Sequence, residues 1–159
     1  MSSCVFPGSF DPPTRGHLDL IRRAAGVFDR VIVAVMVNVR KQGVIDPRKR
    51  TELLEKACAD LPNVRVDSWD GLLADYMRKH GERCVVRGAR GADEFCREIP
   101  SAEANKALHP EMETLLLPAD PKLSWISSSA VREIAAFGGD VRPFLPENVA
   151  EEIAALLSK

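Results

Sequence analysis

Short β-branched runs alternate with longer stretches whose apolar residues recur at helical spacing, and the alternation repeats five times. Ser3 to Phe6 reads as a first strand, and His17 to Phe28 as a helix with Leu18, Ile21, Ala25 and Phe28 on one face. Arg30 to Val37 is nearly continuous in apolar residues, the mark of a strand covered on both faces. Asp46-Pro47 opens a helix, with Asp as N-cap and Pro at the first helical position, running to about Asp60. Asn63 to Val66 is a third strand, Gly71 to His80 a helix ended by Gly81, and Arg83 to Arg87 a fourth strand. A helix follows from about Ala92 to Leu108, and Pro100 inside it predicts a late start or a kink. Glu113 to Leu117 is the fifth strand, Ser127 to Phe137 a helix closed by Gly138-Gly139, and Pro146 to Leu157 the last helix.

Strand then helix, five times over, predicts an α/β fold: a doubly wound, Rossmann-like parallel sheet of five strands with further helices at the C-terminus. Residues 1–159 show no repeat or linker and are read as one domain. Ligands of such sheets bind beyond the carboxyl ends of the strands, where the winding reverses. With strand order 3-2-1-4-5, that place lies between strands one and four, and the loops to inspect follow Phe6 and Arg87.

Composition narrows the function. Hydrophobic residues are 45% and charged residues 28%, ordinary for a globular chain. No apolar run approaches the roughly 18 residues that span a bilayer, and Met1 to Pro7 lacks a secretory signal, so a cytoplasmic protein without membrane partners is expected. A net charge of -1 argues against general nucleic-acid binding. Cys4, Cys58, Cys84 and Cys96 are scattered without metal-ligand spacing and read as reduced thiols.

Both loops at the switch point carry unusual chemistry. The first reads PGSFDPPTRGHLDL: Gly8 allows close backbone geometry, Ser9 offers a hydroxyl, and Thr14 and Gly16 bracket the entry into a helix. A helix start gathers free N–H groups and a positive dipole end, which suits phosphate, and His17 in its first turn can donate to a phosphoryl group. The second reads RGARGADEF, where Arg87 and Arg90 stand three apart around Gly88. Guanidinium forks match phosphate oxygens, although pairing with Asp93 and Glu94 is the competing reading. In SWISSSAVREI, Ser127, Ser128 and Ser129 sit at a helix start and suit a terminal phosphate, or serve only as caps. Lys41 and Arg40 compete for any phosphate role in the loop VNVRKQG, and periodicity does not choose between them.

GSFDPPTRGH, RGARGADEF and WISSSAVRE, in this order and spacing, resemble the phosphopantetheine adenylyltransferases, nucleotidyltransferases with an H/TxGH signature, here Thr14-Arg15-Gly16-His17. The likeness runs through the closing GGDVRPFLPENV. It implies transfer of AMP from ATP to 4'-phosphopantetheine, giving dephospho-coenzyme A and pyrophosphate, a step of coenzyme A biosynthesis. It further implies that Ser9 and Phe10 meet both substrates, and that His17, Gly88, Ala89, Arg90, Glu98 and Leu123, Ser124, Trp125, Ile126, Ser127, Ser128 and Ser129 hold ATP. Lys41, Leu73 and Arg87 would contact phosphopantetheine with Asn105 near its arm, and His17, Arg90 and Lys41 would be the catalytic set. Mg²⁺ would arrive with ATP, no side chain being assigned to it, and the assembly would be a homohexamer. The sequence departs from the family at Phe95-Cys96-Arg97-Glu98, where FEYE is usual, and at IPSAEA, where longer side chains are usual. A related nucleotidyltransferase with another phosphorylated acceptor is the main alternative, and a non-catalytic nucleotide or coenzyme A sensor the second.

Overall fold

Five parallel strands form one sheet in the order β3-β2-β1-β4-β5 in the computed structural model, which describes residues 1–158. They are β1 (Ser3–Gly8), β2 (Arg30–Met36), β3 (Val64–Trp69), β4 (Cys84–Ala89) and β5 (Glu113–Pro118). The helices are α1 (Arg15–Ala25), α2 (Pro47–Ala57), α3 (Leu73–His80), α4 (Ala92–Leu108), α5 (Ser128–Ala136) and α6 (Ala150–Leu157). The expected doubly wound architecture is therefore present, with β1 and β4 adjacent at the reversal of winding.

Strand periodicity assigns the faces. Cys4, Phe6, Val31, Val33 and Val35 pack with Leu20, Ile21 and Ala24 of α1 and Leu54 of α2. The alternate positions Val5, Ile32, Ala34 and Val85 meet Tyr76 and Met77 of α3 on the opposite face. A third cluster joins Leu53 and Ala57 of α2 to Val131 of α5 and Ile153 of α6, which puts the C-terminal helices against the sheet's α2 side.

Boundaries follow the caps. Asp46 accepts from the Arg48 N–H at 2.9 Å with Pro47 next in line, as expected. Gly81 ends α3 with φ 67°, a left-handed value that glycine adopts without a Cβ clash. α1 begins at Arg15, two residues before His17, because the Thr14 hydroxyl caps its first turn. Pro100 does not delay α4, which is continuous from Ala92 to Leu108. The missing hydrogen bond falls on the carbonyl of Cys96, an exposed residue in a helix with no buried one, so in the single chain no buried acceptor is orphaned.

β4 continues past Arg87, so Gly88 lies within the strand and not in a loop. A Cβ there would come within 2.4 Å of Leu20 Cδ1, a buried side chain of α1. Gly88→Ala is expected to force the buried Leu20 side chain out of its present rotamer at the site's floor, costing about 0.5–1.5 kcal/mol, and to show as a slightly lowered Tm. No helix among the described residues is long and apolar enough to cross a membrane.

Candidate active site

A cleft of about 540 Å³ opens at the carboxyl ends of β1 and β4. It brings together Ser9, Phe10, His17, Arg87, Gly88, Arg90, Glu98, Leu123, Ile126 and Ser127 to Ser129. A second cavity of about 250 Å³ adjoins it, sharing Pro7, Gly8, Ser9, Arg87 and Glu98, and adds Leu73 and Asn105. Two chambers thus meet at Ser9 and Arg87, a shape suited to two substrates that must react with each other.

The β1–α1 turn builds the floor. Phe10 takes φ 50°, unusual for a side chain with a Cβ, and its ring is 1% exposed. A Cβ on Gly8 would sit 3.0 Å from that ring, so the glycine is required by the close approach of Phe10. The ring in turn meets His17 edge-on, centroids 5.0 Å apart. Asp11 fastens the turn from beneath by accepting from the N–H groups of Val44 and Ile45, both at 2.8 Å.

His17 is held in one tautomer. The Thr14 N–H donates to His17 Nδ1 at 3.1 Å, while the His17 N–H donates to the Thr14 hydroxyl at 3.3 Å, a reciprocal capping box. A backbone N–H always donates, so Nδ1 carries no proton and Nε2 carries one. Burial, and then the Arg87 and Arg90 guanidiniums, push the His17 pKa down to about 4. The imidazole is therefore a neutral Nε2–H donor at the cleft floor. An NMR titration should find it neutral until pH falls to about 4. Because the folded pKa lies below the ordinary value of about 6.5, this group leaves stability untouched above that pH. Between about 6.5 and about 4 it lowers stability as pH falls, since the unfolded chain binds the proton better.

Arg87 and Arg90 are ordered by carboxylates of α4. Arg87 donates from Nε and Nη2 to both oxygens of Glu98, at 3.0 and 2.9 Å, and from Nη1 to the Pro7 carbonyl at 2.7 Å. Arg90 pairs with Glu94 through Nε at 2.7 Å and through Nη2, and its Nη1 donates to the Ile126 carbonyl at 3.2 Å. Each guanidinium thus bridges two walls of the cleft while keeping spare N–H donors.

The cytidylyltransferase-like family matches residues 5–134. Over all of this chain and 97% of its own length, a phosphopantetheine adenylyltransferase of Rubrobacter xylanophilus is 47% identical. One from Dictyoglomus thermophilum is 43% identical over 96% of this chain and 93% of its own. The chain belongs to the phosphopantetheine adenylyltransferase family. The fold is shared more widely: a bifunctional NMN adenylyltransferase/ADP ribose pyrophosphatase from Francisella tularensis superposes with a TM-score of 0.73 at 16% identity, covering 100% of this chain and 51% of that one.

Several residues expected at the site stand elsewhere or act differently. Lys41 does not line the cleft: with Arg40 it lines a separate surface hollow reaching Arg50. Trp125 is 62% exposed and turned away, edge-on to Phe144, with its N–H given to the Lys122 carbonyl at 2.8 Å. Ser124 donates to the Pro121 carbonyl at 3.2 Å, and neither it nor Ala89 reaches the cleft lining. Two serines of the triplet spend their hydroxyls on structure. Ser127 caps α5 by accepting from the Ala130 N–H at 3.1 Å, and Ser128 donates to the Pro12 carbonyl at 2.8 Å. Their backbone N–H groups at the start of α5 are what they offer a phosphate.

Two arginines escaped the reading of the sequence. Arg132 lines the cleft, donates to the Asp11 carbonyl at 2.6 Å, and has no carboxylate within ion-pair range among the described residues. Its spacing of three from Ser129 puts both on one face of α5, a signal that was available. Arg50 is 5% exposed, donating to the Ser9 carbonyl at 2.6 Å and the Ile45 carbonyl at 2.9 Å. It shares the buried face of α2 with Leu53, Leu54 and Ala57, and a charge on such a face was the clue.

Proposed function

We propose that this protein transfers the adenylyl group of ATP to 4'-phosphopantetheine, forming dephospho-coenzyme A and releasing pyrophosphate. The observation that carries this reading is the pair of chambers joined at Ser9 and Arg87. Membership of the phosphopantetheine adenylyltransferases supplies the acceptor. ATP occupies the larger chamber, its polyphosphate against His17, Arg90, Arg132 and the first turn of α5. The acceptor phosphate sits at Arg87 and Ser9, its arm running into the smaller chamber past Leu73 and Asn105.

A phosphate monoester has a second pKa near 6 and is largely ionised at neutral pH, so its oxygen attacks without a general base. It bonds to the α-phosphorus as the bond from that phosphorus to the bridging oxygen of the β-phosphate breaks. Positioning and charge stabilisation carry the catalysis. His17 Nε2–H donates to the oxygens of the transferring phosphoryl group, and Arg90 and Arg132 take up charge on the leaving pyrophosphate. Lys41 acts, on this reading, only if its loop moves toward the acceptor phosphate.

Mg²⁺ would enter with ATP and would supply screening of the phosphate charges. The carboxylates lining the cleft are engaged, Asp11 by backbone N–H groups and Glu94 and Glu98 by arginines, which favours phosphate oxygens and water as its ligands. The working assembly is a homohexamer in the cytoplasm. Contact between copies, though not their number, is supported by α4, 17 residues long without a buried one, and by Phe95, Ile99, Leu108 and Leu115, all exposed in the single chain.

Pyrophosphate release should require 4'-phosphopantetheine and should not be replaced by nicotinate mononucleotide or an alcohol phosphate; equal release with either of these would reject the acceptor. Arg132→Ala is expected to raise the KM for ATP about 10- to 100-fold and that for the acceptor little, in keeping with loss of a charged hydrogen bond. Separate titrations of the two substrates check it.

A further inference from the structure

The smaller chamber is mixed in character. Arg87 stands at its junction with the main cleft, and Met36 and Leu73 contribute apolar surface. Ser101 and Asn105 of α4 and Thr114 of β5 add polar groups. One cation, apolar surface and neutral hydrogen-bonding groups are the three features that a phosphorylated, branched-alkyl diamide needs met.

Helix α4 divides its cleft face in two. The side-chain bonds of its first half are spent: Asp93 on Arg97, Glu94 on Arg90, Glu98 on Arg87. In the second half, Lys106 reaches Glu113, while no hydrogen bond engages the Ser101 hydroxyl or the Asn105 amide among the described residues. These two are four residues apart on one helix face, about 6 Å along the axis at 1.5 Å per residue. Two amides joined through two methylenes space their carbonyls comparably.

We propose that Ser101 is a specificity-determining residue for the acceptor: its hydroxyl, with the Asn105 amide one turn on, reads the amide groups of the acceptor's arm. Ser101 is also small, and with Ala102 it leaves the arm room to lie against α4. The inference rests on 4'-phosphopantetheine being the acceptor.

The experiment measures KM for ATP and for 4'-phosphopantetheine in the unaltered protein and in Ser101→Ala, Ser101→Thr and Ser101→Leu. Ser101→Ala should raise the acceptor KM about 3- to 10-fold, the worth of a neutral hydrogen bond, with kcat and the KM for ATP within about twofold. Threonine, which keeps the hydroxyl, should stay near the unaltered value, and leucine, which lacks it, should raise the acceptor KM as alanine does. An unchanged acceptor KM in Ser101→Ala, or a parallel rise in both KM values, overturns the assignment. Absence of turnover with 4'-phosphopantetheine in the unaltered protein would instead reject the acceptor itself, and the inference with it.

Discussion

His17→Ala is expected to lower kcat about 100- to 1,000-fold while the KM values change little, the effect of removing one preorganised donor to a developing oxyanion. The tautomer of the ring decides this. Nδ1 is committed to the Thr14 N–H, so the Nε2–H is the only proton the ring can present, and burial beside Arg87 and Arg90 keeps the ring neutral. A neutral donor loses no charge on transfer, and the rate should therefore show no ionisation of His17 between pH 5 and 8 in the free enzyme. The alanine variant also loses half of the capping box, worth about 0.5–2 kcal/mol, so a modest fall in Tm accompanies the loss of rate. Steady-state rates measured well below that Tm separate the two effects. His17→Gln, which restores a donor in a similar place, should recover part of the rate.

Arg87→Ala is expected to have the second large effect, lowering kcat/KM for the acceptor by about two to three orders of magnitude. Two losses combine. The cation that meets the acceptor phosphate disappears, and Glu98 is left as an unpaired, largely buried carboxylate at the junction of the two chambers. The substitution thus replaces attraction by repulsion toward an incoming anion. Removing the carboxylate as well tests this directly: Arg87→Ala with Glu98→Gln should bind the acceptor better than Arg87→Ala alone. Arg87→Lys should fall between, since an ammonium keeps the charge but not the fork that spans both oxygens of Glu98 and the Pro7 carbonyl.

The sheet, its strand order and the two loops at the switch point were legible because they rest on local signals. The nearly continuous apolar run of β2, Asp46-Pro47 at α2, and glycines after α3 and α5 each act within a few residues. The capping role of Thr14 was equally local, though the reciprocal bond to His17 depends on the tautomer and emerges only with geometry. What stayed hidden depends on partners distant in sequence. The resemblance assigns Glu98 to ATP, and its bidentate bond to Arg87, which joins α4 to β4 across 11 residues and, through Pro7, to β1, has no local signal. Arg50 reaches Ser9 from 41 residues away, and Arg132 reaches Asp11 from 121. Trp125, placed in the site by its motif, finds a better apolar partner in Phe144 than in the cleft. Pro100 leaves α4 unbroken, because the carbonyl it deprives of a partner lies on an exposed helix and is not buried.

Direct transfer between two bound phosphates makes a demand that a covalent route does not. Exchange of labelled pyrophosphate into ATP is the measurement that bears on it most directly. The account predicts exchange when 4'-phosphopantetheine is present and none with ATP alone, since pyrophosphate can leave only as the acceptor takes the adenylyl group. Exchange with ATP alone would reveal an adenylylated protein, and no exchange with the acceptor present would show that this cleft does not perform the reaction; either result contradicts the account.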